Sequence, residues 1–167
     1  MICLEVIMDI LICLCLGLLA FQDFTYRAVH IVVLSILFFI GSVRFWLLGH
    51  PIGLIFNTLI FIIVVLLFLW VYISIKTNKV VNPLQKHLGL GDILFFLAVS
   101  PLFSVFNYML YFISGMILSI VFSMLFLRTK ENIPLAGILS TYLLGLKVFS
   151  FFTEEDLFFN PIVYKFL

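Results

Sequence analysis

ILFFLAVSPLFSVFNYMLYFISGMILSIVFSMLFL, residues 93–127, carries no charged side chain. As one α-helix at 1.5 Å per residue it would be about 50 Å long, well beyond a hydrocarbon core of about 30 Å. The run is therefore expected to cross a bilayer twice. Ser100-Pro101, with Ser104 and Asn107 close by, supplies the break, because proline removes a backbone donor and disfavours helical geometry in the residue before it. A fourth span is expected at about Asp92 to Phe103 and a fifth at about Phe106 to Leu127.

Apolar windows fill the rest of the chain. A first span covers Met1 to Phe21, a second about Val29 to Leu48, a third about Ile52 to Ile75 and a sixth about Pro134 to Phe151. Met1 to Phe21 has no basic start, contains Glu5 and Asp9, and ends in Gln22-Asp23 without a small-x-small cleavage site, so it is expected to be a retained span rather than a signal peptide. With 65% hydrophobic and 10% charged residues and a mean hydropathy of +1.35, the chain lies far above the apolar share of about 45–50% in soluble domains. The expected fold is all-α: residues 1–167 as a single transmembrane domain, a polytopic bundle of about six helices in the lipid bilayer. The tail from about residue 152, with Glu154, Glu155 and Asp156 among aromatic residues, is expected at the interface.

Charge orients this bundle. If the end of the first span faces the cytoplasm, the inner loops hold Arg27, Lys76, Lys79, Lys86, Arg128 and Lys130, and the outer segments hold Arg44, Lys147 and Lys165. That excess obeys the positive-inside rule and places the N-terminus outside. A net charge of +1 gives no reason to expect nucleic acid as a partner. Cys3, Cys13 and Cys15 all lie in the first run and form no C-x-x-C pair, so packing is expected of them rather than zinc or a disulfide framework.

Topology then brings two costly residues together. Asp23 closes the first span and Asp92 opens the fourth, so both carboxylates fall at similar depth on the inner side, where a water-filled pocket between helices can reach them. Two such carboxylates can share a proton, which is the working state of an acid/base dyad. Asp92 stands in the first turn of its helix, which favours an anion, and Asp23 stands at a helix C-terminus, which does not. Gly89 and Gly91, flanking Leu90, permit positive φ and leave one backbone edge bare for an extended substrate to join strand-fashion.

These residues resemble a known family. Gln22-Asp23-Phe24-Thr25-Tyr26-Arg27-Ala28-Val29, an Asp-x-x-x-Arg-x-aliphatic pattern, together with Gly89-Leu90-Gly91-Asp92, is similar to the core of the type IV prepilin peptidases and the archaeal preflagellin peptidases, G-x-G-D intramembrane aspartic proteases. Ile133-Pro134-Leu135-Ala136-Gly137 is similar to a proline-containing segment near their active site. The resemblance covers essentially the whole chain. It implies Asp23 and Asp92 as the catalytic pair, with Gly89, Gly91, Arg27 and Pro134 in supporting or substrate-binding positions. The implied substrate is the N-terminal leader of a prepilin-like protein, cleaved at the cytoplasmic face of the inner membrane as in type IV pilus and protein secretion systems. Two departures narrow this. Leu94 stands where many bacterial members have lysine, and the chain has no insertion with paired C-x-x-C motifs. No metal or other cofactor is therefore expected, and N-methylation of the product is not implied.

The reaction expected of such a pair is hydrolysis by water held between the carboxylates. His30, His50 and His87 are scattered over loops and span ends, without a Ser-His or Cys-His arrangement. Glu5 and Asp9 lie one helical turn apart, and Asp9 is about 21 Å along the helix from Asp23, too far to join that pair; a polar outer rim facing water or the bundle is expected of them. Asn57 and Thr58 are expected to hydrogen-bond to a neighbouring helix. Two other classes fit the composition: a small proton- or cation-coupled transporter, which calls for acids near the bilayer midplane, and a catalytically silent pilus or secretion assembly subunit. The sequence does not specify oligomeric state.

Overall fold

Pro101 divides the uncharged run. In the computed structural model, which describes residues 2–77, 89–126, 133–153 and 158–159, the helices are α1 (Ile2–Tyr26), α2 (Ile31–Leu47), α3 (Gly53–Thr77), α4 (Leu90–Val99), α5 (Val105–Phe126) and α6 (Leu135–Thr153). A 3-10 turn at Ser100–Leu102 links α4 to α5. No strand occurs among the described residues.

The break is built from backbone bookkeeping. Pro101 has no N–H, and both the backbone N–H and the Oγ of Ser100 turn to the Leu97 carbonyl, the latter at 2.8 Å. The Phe96 carbonyl is taken instead by the Tyr108 hydroxyl at 3.0 Å. Such replacement bonds are what allow an interrupted helix where no water reaches the backbone. The Phe96 and Phe112 rings lie 5.0 Å apart, and Phe103 stacks on Tyr111 at 5.0 Å. The uncharged run is therefore two helices joined by a turn, with the start of α5 held beside the end of α4 by these rings.

Four helices are long and apolar enough to cross a membrane, over Leu4–Tyr26, Gly53–Lys76, Val105–Leu125 and Leu135–Thr153. Two apolar helices are shorter, Ile31–Leu47 and Leu90–Leu102. The second of these is short because Pro101 cuts it. Among the described residues, the expected set of six apolar segments is thus four helices of spanning length and two below it. α1 continues through Asp23 to Tyr26, which puts the aspartate in its last turn.

α1 packs chiefly against α6 and α2, α2 packs against α4, and α3 is peripheral. Ile12, Leu16 and Leu19 of α1 meet a core that includes Leu37 of α2, Phe95 and Val99 of α4, and Leu139 and Leu143 of α6. Large apolar side chains such as Phe39, Phe68, Met124 and Phe152 point outward, the arrangement that suits a lipid surround. The Ser35, Ser42 and Ser119 hydroxyls bond the backbone of their own helix. Thr58 gives its proton to Leu54 O at 3.0 Å and Asn57 is exposed, so neither forms the cross-helix bond expected of it.

Two residues of the tail beyond α6 are described, and they meet the bundle beside the α4–α5 connection. α6 runs on to Thr153, and Phe158 is buried against Phe103 at 5.0 Å. Its carbonyl accepts the Ser104 N–H at 2.9 Å, next to the turn between α4 and α5. Glu154, Glu155, Asp156 and residues 160–167 lie outside the described residues.

Candidate paired-carboxylate site

The site is assembled on the first turn of α6. Pro134 is its N-cap, since the Pro134 carbonyl accepts the Ile138 N–H at 3.0 Å. The first N–H groups of a helix have no partner inside it, and a Ser, Thr, Asp or Asn at the N-cap usually supplies one. Proline has no such side chain. Two aspartates from elsewhere in the chain take that place. Asp92 Oδ1 accepts the Ala136 N–H at 3.1 Å, and Asp23 Oδ2 accepts the Gly137 N–H at 2.5 Å. Neighbouring residues of one backbone therefore hold both carboxylates, in the positive field of a helix N-terminus.

Asp23 is delivered by the end of α1. Arg27 adopts φ 53°, and its N–H closes on the Asp23 carbonyl at 3.0 Å. This is the left-handed C-cap usually made by glycine, and the Asp-x-x-x-Arg spacing is the spacing of that cap. Gln22 Oε1 then accepts the His30 N–H at 3.1 Å, fastening the short connection to α2. Asp23 is only 6% exposed. A Cβ on Gly137 would stand 3.1 Å from Asp23 Oδ2 and 3.2 Å from Asp23 Cβ. Glycine is thus what lets the aspartate come this close.

Asp92 is delivered by the start of α4. Gly89 is the N-cap, with φ −68° and ψ 140°. Asp92 is the third helical residue, and its carboxylate also takes the Gly89 N–H, the reach-back half of a capping box. The expected positive φ at Gly89 and Gly91 is not found, since Gly89 is extended and Gly49 is the glycine with positive φ among the described residues. Gly89 serves by its lack of bulk: a Cβ there would meet Asp92 Oδ2 at 3.1 Å. At Gly91 a Cβ would touch Val29 at an ordinary 3.7 Å.

Asp23 and Asp92 thus lie near enough to repel each other, and Arg27, itself exposed, attracts Asp23. The opposing dipoles expected from their own helices do not set their environment alone, because a third helix presents its positive end to both. Pro134 contributes position rather than contact. The residues not singled out from sequence are Ala136, Gly137 and Gln22; the available signal was a helix start, Pro134-Leu135-Ala136-Gly137, with no capping side chain of its own.

The other candidates lie elsewhere. His30 accepts α2's first backbone bonds through its carbonyl, and His50 stacks on Phe159 at 4.3 Å. Lys79, Lys86, His87, Arg128, Lys130 and Lys165 fall outside the described residues. Asp9 is a half-exposed charge that faces the bundle, its side chain 38% exposed. At the opposite end of the bundle it meets Lys147 Nζ at 2.7 Å and Arg44 Nε at 2.8 Å. The Arg44 Nε contact is a charge contact rather than an aligned hydrogen bond; Nη2 makes the aligned one, to Asp9 Oδ2 at 3.4 Å. Cys13 and Cys15 are free thiols.

Comparison of the chain with models of known protein families, with curated proteins and with solved structures gives no match.

Proposed function

We propose that this chain is a membrane-embedded aspartic endopeptidase that removes the N-terminal leader of prepilin-like proteins through Asp23, Asp92 and a water molecule. The observation that carries this reading is the convergence of the two carboxylates on the adjacent Ala136 and Gly137 amides. Each carboxylate has two oxygens and about four acceptor sites, so the amide bonds leave capacity for a water between them. The ionised aspartate takes a proton from that water as it attacks the scissile carbonyl, and the protonated partner donates to the carbonyl oxygen. Collapse of the tetrahedral adduct breaks the C–N bond, and the leaving amine takes a proton from the dyad. No acyl-enzyme is formed.

The substrate class rests on the Asp23-x-x-x-Arg27 and Gly89-x-Gly91-Asp92 patterns. In this bundle the first is the spacing of a helix C-cap and the second that of a helix N-cap, so each pattern has a physical role in aiming its aspartate. In the proposed topology the chain crosses the inner (cytoplasmic) membrane about six times, with the N-terminus outside and the site facing the cytoplasm. The backbone edge expected to be bare at Gly89–Gly91 is occupied, because the Gly89 N–H goes to the Asp92 carboxylate, its carbonyl accepts the Asp92 and Ile93 N–H groups, and Leu90 and Gly91 are helical. N-methylation is not part of the proposal.

The test is co-expression of the chain with a prepilin-like substrate, scored by the shortened product, beside Asp23→Asn and Asp92→Asn. Loss of product in both supports the reading. Product that persists in both variants rejects the dyad.

A further inference from the structure

We infer that Asp9, Lys147 and Arg44 form a remote register lock: positioning residues that fix how far α1 sits along α6 and hence where Asp23 meets the first turn of α6. α1 and α6 are the most extensively packed pair in the bundle, and they are joined by polar contacts at both ends. Gly137 holds Asp23 at one end. Lys147 holds Asp9 at the other, about 21 Å away along α1.

Between these points the facing side chains are aliphatic, including Ile12, Leu16 and Leu19 against Leu139 and Leu143. In lipid such a surface gives little penalty for sliding, since hydrocarbon replaces hydrocarbon. A slip by one helical turn is about 5.4 Å. That slip would part Asp23 from Gly137, but it would also leave a buried ammonium and a carboxylate unpaired, which hydrocarbon strongly disfavours. The ammonium is the enclosed member: the Lys147 side chain is 6% exposed, against 38% for Asp9, and its Nζ lies 4.4 Å from the Phe158 ring centre. Arg44, the third member, extends the tie to α2 and stands 5.9 Å from the Phe159 ring. The register is independent of the peptidase reading; its effect on catalysis rests on that reading.

The experiment is oxidative cross-linking in membranes, on the full chain with Cys3, Cys13 and Cys15 replaced by alanine. Gly17 and Leu144 face each other across α1 and α6, so Gly17→Cys is paired with Leu144→Cys for the native register and with Ser140→Cys or Val148→Cys for slips of one turn. With the charges intact, the native pair is expected to cross-link at least fivefold more than either slipped pair. In the triple variant Asp9→Leu, Arg44→Leu, Lys147→Leu, which leaves no orphan charge, the preference is expected to fall below twofold. If the triple variant does not accumulate, Lys147→Met, in which Arg44 still holds Asp9, is read the same way. An unchanged preference overturns the lock. On cleavage of a prepilin-like substrate, the lock predicts a kcat at least tenfold lower with KM within twofold. Absence of cleavage even in the unmodified chain would count against the peptidase reading while leaving the cross-linking result to decide the lock.

Discussion

Gly137 gives its backbone N–H to Asp23 at 2.5 Å, and the same glycine leaves no room for a side chain between them. Helix capping and site assembly are thus one event: α6 is completed only when α1 and α4 deliver their aspartates.

Asn substitutions separate those two roles. In Asp23→Asn or Asp92→Asn the amide oxygen still accepts the Gly137 or Ala136 N–H, so thermal stability is expected to change by less than about 1 kcal/mol. Cleavage of a prepilin-like substrate is expected to fall by about 10²- to 10⁴-fold, the usual contribution of a general acid or base. Asp23→Leu, which also removes the cap, adds a stability loss of about 0.5–2 kcal/mol. Equal stability loss in Asn and Leu variants, measured by thermal unfolding in detergent, would contradict the capping account.

Much of this fold was legible because hydropathy and proline act locally. The six apolar segments and the break at Ser100-Pro101 follow from lengths and a missing donor. That Asp23 and Asp92 share a side follows from counting crossings. The α6 cap was not legible in the same way, because it involves three helices and depends on tertiary placement. For the same reason Arg44 and Lys147 read as outer charges, although Asp9 holds both. The glycines before Asp92 were read as torsional, whereas the neighbour of Gly89 is the Asp92 carboxylate itself.

That last point predicts a contrast. Gly91→Ala places a methyl at ordinary contact with Val29 and gains up to about 1 kcal/mol of helix propensity, so stability should hold or rise. Gly89→Ala sets its methyl 3.1 Å from Asp92 Oδ2, and cleavage should fall about tenfold or more, since displacement of a catalytic group by about 1 Å costs up to about a hundredfold. Equal activity in the two variants would show that the space beside Asp92 is immaterial.

Arg27 occupies a left-handed cap at φ 53°, where a non-glycine residue costs about 1–2 kcal/mol. Arg27→Gly is therefore expected to keep or raise thermal stability. If the guanidinium also steadies Asp23 or grips the leader, cleavage falls even though the fold is firmer. Arg27→Ala keeps the strain and loses the charge, so it should be the less stable of the two. A stability order with Arg27→Gly lowest would refute the cap assignment.

Pro134 offers the sharpest separation of stability from function. It is an N-cap without a side-chain acceptor, and the helix it starts relies on Asp23 and Asp92. Pro134→Ser supplies a local hydroxyl that competes for the Ala136 or Gly137 N–H, as N-cap serines do. The helix start should gain about 0.5–1 kcal/mol from the new cap, while the aspartates lose their fixed positions. Cleavage is then expected to drop about tenfold in a protein that unfolds at a temperature no lower than the parent. Pro134→Ala, which adds no acceptor, should leave the aspartates on their amides and retain most activity. Parent-level cleavage by Pro134→Ser, with a structure of the variant showing the serine Oγ on the Gly137 N–H in place of Asp23, would mean that the Asp23–Gly137 bond is dispensable for catalysis.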